Sequence, residues 1–500
     1  MSLSWAKLSH ANPRQQRAIQ EHLLRRLVRG RLPYSAFYRK LFAEQGLAFD
    51  RIRTLDDLRR VPFTSKSDLL PTADEPDRPR SFVLAPTEEL LRSHLTFREK
   101  LHLLEERILH GKEAPRRELL REFNPVFVTF TTGRSAQPVP FVYTQRDLEL
   151  LQVAGLRMVE ILGLPQQSRT VNLFPYAPHL AFWQVTMAGF AAGQLILGTG
   201  GGKVMGTAGN VAAIAKMRAA CVIGVPGFVY HVLRHAVATG VRFPELKSVV
   251  LGAEKISVEY KRKVLALCEE LGARDVRVFG TYGCTEMRMA FVECPTAPEH
   301  SSGYHTSPDL VLLECIDPNS GEPAPPGADG ELVITPLQGT GTTVVRYRTG
   351  DLLRGGLLLE PCPHCGRTVP RLPSRIDRLS EVADLHTTKV KGTLVNLADF
   401  AQILSGLPEV EEWQVEISKK NDDPFEVDLV TVYVATRAEI AARNGAAAEA
   451  VSRAIRERML ATTEVSPNDV VQLPLETMLT RLGMETEMKE RRFIDRRPRG

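Results

Sequence analysis

The residues best suited to chemistry in this chain fall in short stretches that follow β-branched runs. In VTFTTGRSAQPVP such a run ends at Thr131-Thr132-Gly133, followed by Arg134. Backbone N–H groups freed by Gly133 could cradle oxyanions while the threonine hydroxyls donate, although a plain strand turn explains the same residues. VLGAEKIS sets Gly252-Ala253-Glu254 at the end of a strand. FGTYGCTEM offers the flat ring of Tyr282 to a purine, then the hydroxyl of Thr285 and the carboxylate of Glu286. That carboxylate is a hard donor suited to octahedral Mg²⁺, or else a surface glutamate on a turn. VVRYRTGDLL puts Asp351 after Gly350 at a tight turn. Its carboxylate could accept both hydroxyls of a ribose, or close an Asx-type turn. Lys489 lies in MKERRFIDRRP, a basic tail that on its own reads as solvated.

The cysteines form a second constellation. Cys362-Pro-His-Cys365 has the spacing of a metal knuckle, and Cys294 with His305 lies upstream across an expected β hairpin. Two knuckle thiolates, one more cysteine and one histidine would close a tetrahedral Zn²⁺ site with no open position, a structural site. His300 and His364 compete with His305 as the nitrogen ligand, and a CxxC in a reducing compartment also serves redox chemistry. Cys221, Cys268 and Cys315 lie in apolar runs and read as core. GTGGGKVMGTAG, residues 198–209, has part of a phosphate-loop pattern, but Lys203 precedes Val204 rather than Ser or Thr. It is expected to be a mobile turn. LFPYAPHLAFW presents Phe174, Tyr176, His179 and Trp183, which core packing would also explain.

The elements that must position these residues alternate. TVNLFP, GQLILG, ACVIGVP, SVVLGAE and VRVFGTYG read as strands, separated by helical stretches. That order points to an α/β fold with a largely parallel sheet flanked by helices, whose ligands collect at the carboxyl ends of the strands. Near residue 305 the pattern changes to β runs joined by a Pro/Gly turn, expected to be antiparallel. From about 379 a helix, two strands, an Ala-rich helix and a strand suggest a small α+β unit. Residues 93–123 read as one or two amphipathic helices laid over the body, with their Glu and Arg runs facing solvent.

Composition narrows the class. With 43% hydrophobic and 25% charged residues the chain is that of a soluble globular protein. A formal charge of +5, from 64 basic against 59 acidic residues, does not point to nucleic acid. The N-terminus lacks an apolar signal core, and the most apolar window, Trp183–Gly198, is broken by glutamines and glycines, so no membrane partner is expected. Seven cysteines, mostly far apart, argue against a disulfide framework and for a reducing, cytoplasmic setting.

Taken in order, Thr-Thr-Gly, Gly-Ala-Glu, Tyr-Gly-x-Thr-Glu, Arg-Thr-Gly-Asp and a late lysine resemble the adenylate-forming superfamily. VPFTSKSDL, PCPHCGRTVPR and KERRFIDRR are similar to its phenylacetate–CoA ligase branch, and the likeness runs from about Pro33 to Arg497. The resemblance implies a large N-terminal domain, residues 1–376, and a mobile C-terminal α+β domain, 377–500. The former would carry the helical insertion at about 93–123 and a zinc-stabilised β region at about 294–366.

It also implies two half-reactions. ATP would activate an aromatic carboxylic acid of benzoate, anthranilate or phenylacetate type to an acyl-adenylate, and coenzyme A would then take the acyl group as a thioester. Thr131, Thr132 and Gly133 would hold the β- and γ-phosphates, and Gly252, Ala253, Glu254, Tyr282 and Gly283 would frame adenine. Thr285 and Glu286 would place phosphate and Mg²⁺, Asp351 would bind ribose, and Arg375 matches the arginine at the domain junction. Lys489 would stabilise charge building on the α-phosphate. Phe174, Tyr176 and His179 would adjoin the acid pocket, Asp377-Arg378 would be the hinge, and the branch's histidine segment favours His305 for zinc. Arg378 stands where an acidic hinge residue is usual, which keeps open an acyl carrier protein or an amine as acceptor. A non-catalytic, zinc-stabilised binding module is the third reading, and a homodimer is an allowed state.

Overall fold

The computed structural model describes residues 4–131, 138–254, 256–294, 301–379, 387–390, 393–422, 426–437, 445–484 and 490–497. Thr132, Gly133, Arg134, His300 and Lys489 lie outside the described residues. The alternating pattern forms one eight-stranded sheet. Its parallel half runs in the order β4 (Leu195–Gly200), β3 (Arg169–Pro175), β5 (Cys221–Gly224), β6 (Ser248–Leu251) and β7 (Arg277–Cys284). It continues antiparallel through β8 (Met289–Glu293), β9 (Tyr304–His305) and β13 (Arg371–Leu372). Val249, Val250 and Leu251 are wholly buried, as strands covered on both faces by helices should be.

A hairpin of β1 (Pro125–Phe130) and β2 (Pro140–Thr144) stands beside this sheet. A four-stranded antiparallel sheet follows: β10 (Val311–Ile316), β11 (Gly330–Pro336), β12 (Tyr347–Leu353) and β14 (Ile376–Arg378). Gly350 and Asp351 are therefore not in a tight turn. They lie inside β12, at a register break opposite Glu331–Val333, where Gly350 takes a φ of +72°. A bulge of this kind re-aims the side chain next to it, and here that side chain is Asp351.

Two further expectations are corrected. Gly198–Gly209 is no mobile turn: β4 runs into it, and a helix spans Gly202–Met217 with one non-helical residue, Gly206. In the insertion most charged residues do face solvent, Arg98, Glu105, Arg107 and Arg116 among them, but two glutamates and the apolar stripe do not sit as expected. Helices Phe97–His110 and Ala114–Phe123 turn Glu99 and Glu122 inward to the buried Arg31, at 3.1 and 2.5 Å. The apolar stripe of the first helix points outward, with Phe97 80% and Ile108 73% exposed. A buried guanidinium left unpaired costs more than exposed apolar side chains do, so Arg31 decides the rotation of this helix.

After an antiparallel pair, β15 (Thr387–Val390) and β16 (Thr393–Asn396), the chain from Leu397 to Phe493 packs a core of its own around Phe400, Val415, Val432 and Ile455. Its sheet orders β19 (Asp469–Gln472), β18 (Asp428–Thr436), β17 (Val410–Lys419) and β20 (Phe493–Asp495). The basic tail is thus a docked strand, with β20 parallel to β17. Among the described residues no helix is long and apolar enough to cross a membrane.

Candidate functional site

The carboxyl ends of β6, β7 and β12 bring distant residues together. Gly252 follows β6, and a side chain there would collide with the Thr281 hydroxyl, which donates to Leu251 O at 3.1 Å. Ala253 then takes a φ of +73°. For a residue with a side chain this left-handed conformation costs about 1 kcal/mol, strain of the kind that collects at functional turns. Gly283 has a different reason to be glycine: a Cβ would lie 2.7 Å from that of Ala290 on β8.

Tyr282 donates its hydroxyl to Asp351 Oδ2 at 2.7 Å. Burial, then the charge of Asp351, raise the pKa of this tyrosine well above its ordinary value, so it stays a donor. Asp351 is 6% exposed, and its Oδ1 faces Arg378 Nε at 3.1 Å. Arg378 Nη1 also donates to Thr349 O at 2.9 Å. A second tyrosine–carboxylate pair lies close by, with Tyr347 donating to Glu286 Oε1 at 3.0 Å. Thr285 donates to Phe130 O at 3.4 Å, so the end of β7 meets the last residue of β1. Thr131 is tied twice to Val139: its N–H donates to Val139 O and its hydroxyl accepts from Val139 N, both at 3.0 Å.

A cavity of about 140 Å³ opens at the ends of β3, β4 and β5. Leu173, Tyr176, Val225 and Phe228 line one side, Lys203 stands on the Gly202–Met217 helix, and Met484 and Glu490 reach in from the C-terminal core. Gly227 is one place where the two parts touch, since a side chain there would overlap the Glu490 carboxylate. Glu490 pairs with Arg492, which reaches Glu412 at 2.8 Å and covers the Trp413 ring at 5.0 Å. Burial raises the pKa of Glu490 above the usual carboxylate range.

Four metal-ligating groups converge elsewhere. One ligand atom each from Cys294, His305, Cys362 and Cys365 lie within 4.8 Å of one another. β8, β9 and β13 make this possible by pairing His305 with Val292 and with Arg371. Burial, then Arg367 and Arg371, push the His305 pKa down to about 3, leaving the neutral imidazole that a metal needs. Burial and the neighbouring Cys365 and Cys362 raise the Cys294 thiol. Burial also pushes Cys362 up, but the polar groups around the sulfur, the Ser302 hydroxyl and the backbone of Cys365 and His364, outweigh it and bring it to about 7. Three sulfurs this close cannot all ionise without a cation among them, and Cys₃His is a donor set that suits tetrahedral zinc. His364 lies outside this group of four, although its Nδ1 comes within 3.2 Å of Cys294 Sγ.

The family model described as AMP-binding enzyme matches residues 60–340, more than half of the chain. The chain belongs to the AMP-binding enzyme family. A phenylacetate-coenzyme A ligase of Thermus thermophilus is 28% identical over 403 residues, 80% of this chain and 77% of that one. A phenylacetate-coenzyme A ligase of Aromatoleum evansii is 23% identical and covers 98% of this chain and 97% of its own. Among solved structures, 2-hydroxyisobutyryl-CoA ligase in the postadenylation state with 2-HIB-AMP shares the fold, with a TM-score of 0.74 at 19% identity. That alignment spans 98% of this chain and 92% of the other.

Within this AMP-binding enzyme, Tyr282 with Asp351, and Thr285 with the end of β1, are brought together as the motif order implies. Arg375 is not: it stays exposed, and its carbonyl accepts from Arg354 N at 3.1 Å. Tyr176 lines the cavity, whereas Phe174 packs against the Gly252 turn and His179 is buried with Nε2 unpartnered among the described residues. Sequence reasoning missed Phe228, Met484 and Glu490, and it set Lys203 aside with the glycine-rich stretch that carries it. Among the three missed, only Glu490 carried a signal, as the residue beside Lys489.

Proposed function

We propose that this enzyme uses ATP to activate an aromatic carboxylic acid of benzoate, anthranilate or phenylacetate type, and then passes the acyl group to coenzyme A. The observation that supports this reading is the row of carboxyl ends of β3 to β7. Thr285–Glu286 and Tyr282, to which β12 of the neighbouring sheet brings Asp351, stand at one end of it, and the cavity at the other. At about 140 Å³ the cavity is close to the roughly 150 Å³ that holds one benzene ring. Its Leu173, Val225, Phe228 and Met484 suit a ring face.

In the first step the acid's carboxylate oxygen attacks the α-phosphate and pyrophosphate leaves. Tyr282 would stack on adenine, with Gly252, Ala253, Glu254 and Gly283 shaping the slot, and Asp351 would accept the ribose hydroxyls. Thr131, Thr132 and Gly133 would hold the outer phosphates. Glu286, beside the Thr285 hydroxyl, offers the hard oxygen that Mg²⁺ takes, and that ion would neutralise phosphate charge. Lys489, next to the Glu490 that reaches the cavity, would place its ammonium near the α-phosphate and carboxylate. Residues 1–376 would act as the adenylating domain and 377–500 as the domain that turns about Asp377-Arg378 for the thiol step. Zinc on Cys294, His305, Cys362 and Cys365 would be structural, because all four corners are filled by protein.

The test is incubation with ATP, Mg²⁺, a panel of benzoic and phenylacetic acids, and coenzyme A, read by mass spectrometry. Acyl-adenylate followed by acyl-CoA is expected. Adenylate without thioester would favour a carrier protein or an amine as acceptor, and neither product across a broad panel would overturn the aromatic assignment.

A further inference from the structure

The ion pair between Arg378 and Asp351 joins the hinge to the residue that the proposed function gives to ribose. Asp351 and Arg378 face each other as the terminal rung of the β12–β14 ladder. Both carboxylate oxygens of Asp351 are engaged, Oδ2 by the Tyr282 hydroxyl at 2.7 Å and Oδ1 by Arg378 Nε at 3.1 Å. The two partners differ in what they lose if the pair opens. The Asp351 side chain is only 8% exposed, so it cannot turn to water for a new partner, whereas that of Arg378 is 49% exposed and can. Pairs with one solvated member are weak, so two hydroxyl donors aimed at the same carboxylate can displace the guanidinium.

We propose that Arg378 is a positioning residue for the nucleotide, a latch that holds the Asp351 carboxylate until a ribose diol replaces it. The inference rests on the nucleotide reading above. Displacement removes the side-chain pin on Asp351 and leaves only the bond to Thr349 O on the last rung before the residues that lead to the C-terminal core. Nucleotide occupancy and the freedom of the hinge strand are thereby coupled, and the coupling must be reciprocal: whatever loosens Arg378 strengthens diol binding by the same factor. The competition is for Asp351, so it concerns the 2′- and 3′-hydroxyls and not the phosphate.

Calorimetric titration of the full chain with AMP and with 2′,3′-dideoxy-AMP separates these terms. The attraction of Arg378 for phosphate acts on both nucleotides and cancels in the ratio of their dissociation constants. Arg378→Gln should shift that ratio toward AMP by about fivefold, the order expected for removing a half-exposed ion pair, and Arg378→Lys should fall between Gln and the native protein. A ratio that is unchanged, or that moves toward the dideoxy nucleotide because the diol contacts Arg378 itself, would overturn the latch. Native protein that binds neither nucleotide would remove the nucleotide reading and the latch with it. Native protein that binds both equally, in every variant, would remove only the role of Asp351 and its latch.

Discussion

The Cys/His cluster and the Asp351 cluster are built from the same kind of material, residues far apart in the chain joined by antiparallel strands, yet they differ in how they end. Around Cys294, His305, Cys362 and Cys365 the ligand atoms face one another and three of the four residues are buried, so nothing is left to open. Around Asp351 each charged group has a partner that could be exchanged: Tyr282 donates a neutral hydroxyl, and Arg378 is half in water. A closed arrangement holds two segments together whatever is bound. An arrangement of exchangeable partners lets a substrate compete, which is what a site that must bind and release a nucleotide requires.

If that contrast is right, the closed cluster should fail first and most. Cys362→Ser should cost the protein its stoichiometric metal and lower Tm by about 10 °C or more, checked by elemental analysis and calorimetry. A variant with full stability and no zinc in the native protein would break the comparison, because the cysteines would then be ordinary buried thiols. On the open side the largest effect should be on rate rather than stability. Lys489→Ala should slow ATP–pyrophosphate exchange by about a hundredfold or more, while reaction of preformed acyl-adenylate with thiol survives. Equal loss of both steps would rule out an adenylation-only role.

A smaller effect sharpens the exchangeable side. Asp351→Ala should raise the KM for ATP by about ten- to a hundredfold and Tyr282→Phe by about three- to tenfold. The double variant should be no worse than Asp351→Ala alone, since Tyr282 OH acts through that carboxylate. Full additivity would mean that the hydroxyl contacts the nucleotide by itself. The smallest effect concerns pH. Burial lowers the pKa of His179, so the unfolded chain takes up a proton that the folded chain refuses. Its contribution to stability is present above the ordinary histidine value of about 6.5 and is lost as pH falls below it. Urea midpoints at about pH 7.5 and about pH 5.5 should differ less in His179→Gln than in the native protein. An equal drop in both would assign the pH dependence to other groups.

Much of this architecture could be read in advance. The strands of the parallel sheet and the helices between them were legible because β-branched runs and 3.6-residue periodicity are local signals. The C-terminal unit was legible for the same reason. Gly350 misled, because a glycine before an aspartate has the same local signature in a turn and in a bulge, and only the pairing of β11 with β12 distinguishes them. The insertion misled for a different reason. An apolar stripe at Phe97, Leu101, Leu104 and Ile108 does face one way, but which way depends on Arg31, some seventy residues earlier and buried with a charge to satisfy.

The sequence by itself determined the order of the motifs, the family they resemble, and the knuckle spacing at Cys362–Cys365, since each is a property of neighbours along the chain. Tertiary structure alone decided that Glu490 reaches the cavity against Gly227 and that Arg378 rests on Asp351. Each of these depends on which strand lies beside which, and on what a buried charge can find within reach. Those distances are set by the folded sheet and not by separation along the chain.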